Sequence, residues 1–232
     1  MTVAYDGTDF FGFQRQPHRR TVQGVLEEAI SRINGKPIQV VGAGRTDAGV
    51  HALGQVCHFE TALPMPPDRW VSVLNRVLPR DVAVRSVEEV PPPFHARKDA
   101  RWKRYRYLID TSPVPDVFTR RFRFHFPLSL DVEAMRRAAA DLEGTHDFTS
   151  FSSARSPVEN RVRTIHLCRV EKEGPVVSME VVGNGFLYNM VRIIAGTLLE
   201  VGRGKRSPES IPDVIRPNNR AAAGKPLPPE GL

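Results

Sequence analysis

Twice along its length the chain runs through the same succession of elements, and that repetition limits its architecture more than any single motif. In the first pass, Thr2 to Asp6 reads as a short strand ending in the turn Asp6-Gly7-Thr8. Thr21 then caps a helix whose apolar positions Val22, Leu26, Ala29, Ile30 and Ile33 recur at three- and four-residue spacing, and Asn34-Gly35 stops it. Strands are expected at Ile38–Val41 and Gln55–Phe59, a proline-led helix near Asp68–Leu78, and an alternating strand over Asp81–Val90. Pro91-Pro92-Pro93 marks a boundary, giving halves 1–93 and 94–232.

The second pass opens on a strand, Trp102–Asp110, with Tyr105, Tyr107 and Ile109 on one face and Arg104, Arg106 and Leu108 on the other. A proline-broken connection carrying Arg120, Arg121 and Arg123 leads to a helix over Asp131–Glu143, closed by Gly144. After a loop, Thr145–Asn160, come strands Val162–Glu171 and Val176–Val182, joined at Glu173-Gly174-Pro175. A helix over Leu187–Val201, a short one around Ser207–Ile215 and a proline-rich tail complete the chain. Each half therefore follows the order β-α-β-β-α-β, the split-βαβ plan of ferredoxin-like and RRM-like folds, with the last strand of the second copy missing. The expected fold is α+β: two such halves with mixed, mainly antiparallel sheets meeting at a central cleft.

Composition narrows the function classes. The 232 residues are 41% hydrophobic, enough for a core, and carry a net charge of +7, which favours a polyanionic partner such as nucleic acid. No run approaches the roughly 18 apolar residues needed to span a membrane, and no signal-peptide pattern opens the sequence. Cys57 and Cys168 lie in separate strand-like runs without a C-x-x-C partner and read as reduced core residues of a cytoplasmic protein. His51, Cys57 and His58 lack zinc-site spacing.

Four segments carry candidate chemistry. Gly42 to Phe59, GAGRTDAGVHALGQVCHF, places Arg45-Thr46-Asp47 in a glycine-rich loop between strands. Glycines allow positive φ and close backbone approach, so such a loop can hold a few polar side chains against a ligand; the same residues also suit a plain turn capped by Asp47. Phe94 to Tyr107 mixes cations with aromatics, the composition of an RNA face or of a charge-guarded edge strand. In the apolar run Asn184–Gly196, Arg192 is the one cation, and it either snorkels to water or pairs with a carboxylate. His146-Asp147-Phe148-Thr149-Ser150-Phe151 is a polar-aromatic loop in which His146 reads as a structural cap.

Taken together, YDGTDFFGFQRQP, GAGRTDAGVHALGQV, FHARKDARWKRYRYLI, GTHDFTSF and GNGFLYNMVRIIAGTLLEVGRGK closely resemble, in order and over nearly the whole chain, the tRNA pseudouridine synthases of the TruA type. The resemblance implies that Asp47 is the catalytic aspartate, Tyr105 the tyrosine that packs on the target uracil, and Arg192 the arginine that pairs with the aspartate. Arg45 matches the arginine linked to displacing the target base, and Lys103 and Arg104 are candidate substrate contacts beside Tyr105. It further implies action on uridines 38 to 40 of the tRNA anticodon stem-loop, a homodimer, and no cofactor, metal or small-molecule cosubstrate. Phe13 stands where many relatives carry Trp, and RAAAGKPLPPEGL stands where relatives continue into a last strand.

A rival from another class is a non-catalytic RNA-binding protein of two RRM-like halves. It accounts for strand aromatics but gives no reason for an acid inside the glycine-rich loop, and KRYRYLI lacks the internal glycines of the RNP1 pattern. A two-metal nuclease needs clustered carboxylates, whereas the Gly42–Phe59 stretch supplies Asp47 alone.

Overall fold

The computed structural model describes residues 1–154 and 158–232, so residues 155–157 of the expected Thr145–Asn160 loop lie outside the described residues. The chain divides into two compact units, Met1–Ala100 and Arg101–Leu232.

The first unit contains β1 (Thr2–Tyr5), α1 (Val22–Asn34), β2 (Val41–Gly42), β3 (Ala52–His58), α2 (Pro67–Val77) and β4 (Val82–Ser86). The strands form one antiparallel sheet in the order β2-β3-β1-β4. Helix α1 begins where Thr21 Oγ1 accepts the Gly24 N–H at 3.3 Å and ends at Gly35, whose φ of 68° takes the left-handed turn that the sequence demands. Val22, Leu26 and Ile30 of α1, Trp70 and Leu74 of α2, and Val3, Val82 and Val84 of the sheet share one core. The strand expected at Ile38–Val41 is corrected to Val41–Gly42. Side chains of α1 claim the residue before it: the Val40 N–H donates to Glu27 Oε1 at 3.1 Å, and Gln23 Nε2 donates to the Val40 carbonyl at 2.9 Å. The strand expected to reach Val90 stops at Ser86.

The second unit contains β5 (Lys103–Asp110), β6 (Phe124–His125), α3 (Val132–Ala140), β7 (Gly144–Asp147), β8 (Val162–Glu173), β9 (Val176–Gly183), α4 (Met190–Gly202) and α5 (Ile211–Ile215). Its five-stranded sheet has the order β6-β5-β9-β8-β7, with β5 and β6 parallel and the other neighbours antiparallel. The β5 faces alternate as expected: Tyr107 and Ile109 are fully buried, while Arg104 and Arg106 face solvent. Two strands were not anticipated. Gly144–Asp147, read as a helix stop and loop, pairs with Val162–Ile165 as β7, and Phe124–His125 pairs with the end of β5 as β6. The α3 helix accordingly ends at Ala140 rather than Glu143.

The proline-rich tail is seated in this unit. Gly224 N–H donates to Thr197 Oγ1 at 2.9 Å, and a Cβ at Gly196 would lie 1.8 Å from the Lys225 carbonyl oxygen, so the tail backbone rests directly on α4. Further along, Tyr107 Oη donates to the Pro228 carbonyl at 2.7 Å. The tail thus covers the buried side of β5 while β6 lies along its edge.

Candidate active site

Asp47 stands on the loop between β2 and β3, and the first residues of the chain hold that loop. Phe13 N–H donates to the Thr46 carbonyl at 3.1 Å, and Gly49 N–H donates to the Phe10 carbonyl at 3.2 Å. Tyr5 Oη and Thr46 Oγ1 are 2.8 Å apart, and His51 Nδ1 accepts the Gly7 N–H at 3.0 Å. A turn from Asp47 to Val50, closed by a 3.2 Å backbone hydrogen bond, carries Gly49 at φ 79°. Two glycines of the opening motif make the fit possible. A Cβ at Gly12, whose φ is 83°, would lie 2.6 Å from the Thr46 oxygen and 3.2 Å from the Asp47 carbonyl carbon; at Gly7 it would lie 1.9 Å from the Val50 oxygen. At the loop's other end, Gln55 donates from Nε2 to the Gly44 carbonyl at 2.9 Å and accepts the Gly44 N–H at 3.2 Å. Asp47 itself is half-buried.

Arg45 is exposed, and its neighbour Arg97, part of the Phe94–Tyr107 segment, was not singled out from the sequence. Burial, and then the charge of Arg45, hold the Arg97 guanidinium below its ordinary pKa. Arg97 sits on a turn built by His95, whose Nδ1 accepts the N–H groups of Arg97 and Lys98 at 3.2 and 3.3 Å, while the His95 N–H donates to Asp99 Oδ2 at 2.7 Å. The turn is tied to β3, since His58 Nδ1 accepts the Ala96 N–H at 3.1 Å and the His58 and His95 rings lie 5.0 Å apart. Burial, then His95, lower the His58 pKa. Among the described residues no group of three or more His, Cys, Asp or Glu is arranged to hold a metal ion. Burial pushes the thiols of Cys57 and Cys168 up to about 12, so neither is a nucleophile at neutral pH.

The other residues singled out from sequence belong to the second unit. Tyr105 is half-buried on β5 and meets Phe186 edge to face, with centroids 4.9 Å apart. Lys103 shares its face by alternation, whereas Arg104 points to the opposite face. There Arg104 Nε lies 3.7 Å from Glu180 Oε1, and Arg106 donates to the other carboxylate oxygen at 3.3 Å. Both arginines are well solvated, so these pairs are weak and leave the cations open to a polyanion.

Arg192 occupies the first turn of α4, entered through Asn189 in the left-handed region at φ 62°. Its Nε donates to the Leu227 carbonyl at 2.6 Å and its Nη1 to Asn189 Oδ1 at 3.0 Å. Those bonds use two of five guanidinium donors and fix its plane. The sequence named Arg192 but not its supports, because the tail that supplies Leu227 reads as a plain linker. The GTHDFTSF segment is structural: Phe148 and Phe151 are fully buried, and His146 Nε2 bonds with the Glu143 carbonyl at 2.8 Å.

The comparisons with known proteins meet this arrangement over most of the chain. A family model described as tRNA pseudouridine synthase matches residues 1–98 and 138–232. A "tRNA pseudouridine synthase A" of Brevibacillus brevis is 55% identical over 230 residues, 99% of this chain and 94% of that protein. Proteins of the same name from a Geobacillus species and from Halalkalibacterium halodurans are each 52% identical over 100% of this chain, covering 94% and 89% of their own lengths. The chain belongs to the tRNA pseudouridine synthase family. Among solved structures, a chain of a Cbf5-Nop10-Gar1 complex aligns over 86% of this chain and 54% of its own, at 14% identity and TM-score 0.36, a likeness too distant to carry weight.

Proposed function

We propose that this protein isomerises uridine to pseudouridine in tRNA, at positions 38, 39 and 40 of the anticodon stem-loop, with Asp47 as the reacting carboxylate. Membership of the family makes it an isomerase, and the observation that supports the reading best is 55% identity to a named synthase over 99% of the chain. The non-catalytic RNA binder explains the aromatics but leaves unexplained why so many backbone contacts hold the Arg45-Asp47 loop in one place.

In the reaction the N1–C1′ bond breaks, the uracil turns over, C5 bonds to C1′, and the C5 proton departs while N1 regains one. All atoms of the base are otherwise retained, so no cosubstrate enters. A base within a stem must first leave the stack, at a cost of a few kcal/mol. Asp47 then acts ionised, either attacking C1′ or removing a ribose proton to give a glycal-like intermediate. Desolvation opposes the anion, and Arg192 is the cation assigned to support it. Tyr105 offers its ring to the detached uracil, Arg45 helps displace the base, and Lys103 and Arg104 meet the RNA backbone. The enzyme works in the cytoplasm as a homodimer, one subunit gripping the stem-loop while its partner holds the tRNA body. No helix among the described residues is long and apolar enough to cross a membrane.

Incubation with C5-tritiated tRNA transcript tests this reading. Tritium release into water, with pseudouridine mapped to positions 38 to 40, is the expected result; modification confined to other positions would overturn the positional assignment. A sedimentation mass of one chain in a fully active sample would overturn the dimer.

A further inference from the structure

The opening aromatic run does two different jobs. Phe10 and Phe13 are buried in the core of the first unit, but Phe11 between them is 46% exposed. Its backbone is fixed: the Phe11 N–H donates to the Arg20 carbonyl at 2.9 Å, and its own carbonyl accepts Gln16 Nε2 at 2.8 Å. Its next neighbour, Gly12, lies against the backbone of Thr46, Asp47 and Ala48. Arg19 places its guanidinium carbon 4.3 Å from the Phe11 ring centroid. The adjacent arginine is not available in the same way, because Arg20 is held to Asp81 by two hydrogen bonds of 2.7 and 2.9 Å. A solvent-facing aromatic ring carried on hydrogen-bonded backbone, with a cation on one face and one residue from the backbone contact that seats Asp47, stands outside the core of its unit. Such a pair is the chemistry that receives an unpaired nucleobase on the ring face opposite the cation and a phosphate beside the cation.

We infer that Phe11, with Arg19, is a substrate-stacking platform that holds a nucleobase of the RNA beside the Asp47 loop. This rests on the reading of the chain as a tRNA pseudouridine synthase reacting at Asp47. Stacking supplies affinity without charge, whereas Arg19 supplies counterion release, so the two contributions separate by salt dependence. Phe11→Leu keeps an apolar side chain but removes the π-face. Its dissociation constant for an anticodon stem-loop transcript is expected to rise on the order of 5- to 100-fold, with an unchanged slope of log K against log salt. Phe11→Trp is expected to bind within about threefold of wild type, and Arg19→Gln to make the salt slope shallower by about one. Melting temperatures of the Phe11 variants should stay near wild type, since the side chain is half open.

A Phe11→Leu protein that is folded and binds within twofold of wild type would overturn the inference. If Phe11→Leu proves unstable, the tryptophan variant still decides. The emission added by Trp at position 11, relative to the parent protein, should be quenched as the stem-loop transcript is titrated; an unquenched signal at saturating RNA overturns the platform. Failure of the wild-type protein to release tritium would defeat the underlying enzymatic reading instead, and is distinguishable because the stacking test reads binding.

Discussion

Asp47 and Arg192 are held in place by contrasting means. Asp47 stands on irregular backbone whose course is set by the Phe13 N–H donating to the Thr46 carbonyl, by the Gly49 N–H donating to the Phe10 carbonyl, and by the close approach of Gly7 and Gly12. Arg192 stands on regular backbone, the first turn of α4, and its side chain is aimed by Asn189 and by a carbonyl of the tail. The bonds described for the first act largely on the loop's main chain, and those for the second on the Arg192 side chain itself. The loop is therefore vulnerable to substitutions at residues with no chemistry of their own, while the helix is vulnerable at the functional residue. In this chain the opening YDGTDFFGF segment is thus the seat of the GAGRTDAGV loop.

The sharpest way to break the comparison is Gly12→Ala. Its φ of 83° and the 2.6 Å approach of a Cβ to the Thr46 oxygen force the loop to move. Left-handed backbone alone costs about 1–2 kcal/mol for a non-glycine residue, and displacing a reacting group by about 1 Å costs on the order of 100-fold in rate. Turnover should fall about that much while tRNA affinity changes little; near-normal turnover would show that the loop is not held as described.

Arg192→Met probes the other side. It removes the charge and also strips the Leu227 carbonyl of a charge-assisted hydrogen bond, so stability should fall by about 1.5–3 kcal/mol alongside the loss of turnover. If Arg192 supports the Asp47 anion as proposed, the acidic limb of the pH–rate profile should move to higher pH. An unmoved limb would assign Arg192 to tail anchoring alone.

Tyr107→Phe isolates the tail. It leaves the Pro228 carbonyl without its 2.7 Å donor, and denaturant unfolding should report a loss of about 1–3 kcal/mol with modest effect on turnover. No change in stability would mean that the tail contributes little to this unit.

The smallest effect concerns Asp110 at the end of β5. Burial raises its carboxyl pKa, but the side-chain and backbone hydrogen bonds from Ser112 outweigh that and leave it below the ordinary value. A depressed native pKa stabilises the fold above the unfolded value of about 3.9, and that contribution fades as pH falls through the native pKa. The stability gap between wild type and Ser112→Ala should thus be full at neutral pH and shrink near pH 3. A gap that widens on acidification would contradict the assignment.

Where burial follows a simple period, the sequence was legible. The α1 stripe of Val22, Leu26 and Ile30, the Thr21 cap, the β5 alternation and the hairpin of β8 and β9 are found as read. The departures share a physical cause, which is that nonlocal partners decided them. Gly144–Asp147 has no apolar alternation and becomes a strand because β8 offers it an edge. Phe124–His125 is too short to show a period at all. Ile38–Val40 has the β-branched character of a strand, yet Val40 is bonded by polar side chains of α1. Among the candidate residues, the motifs name Asp47, Arg45 and Arg192, but Arg97 beside Arg45 and the tail beneath Arg192 were not singled out, since each arrives from a segment that reads as loop.

The central claim is that Asp47 carries the chemistry, and Asp47→Asn tests it most directly. The substitution keeps size and hydrogen-bonding reach while removing the carboxylate. With C5-tritiated tRNA at saturating enzyme, the variant should bind about as tightly as wild type and release essentially no tritium. A folded Asp47→Asn protein with wild-type release would contradict the account.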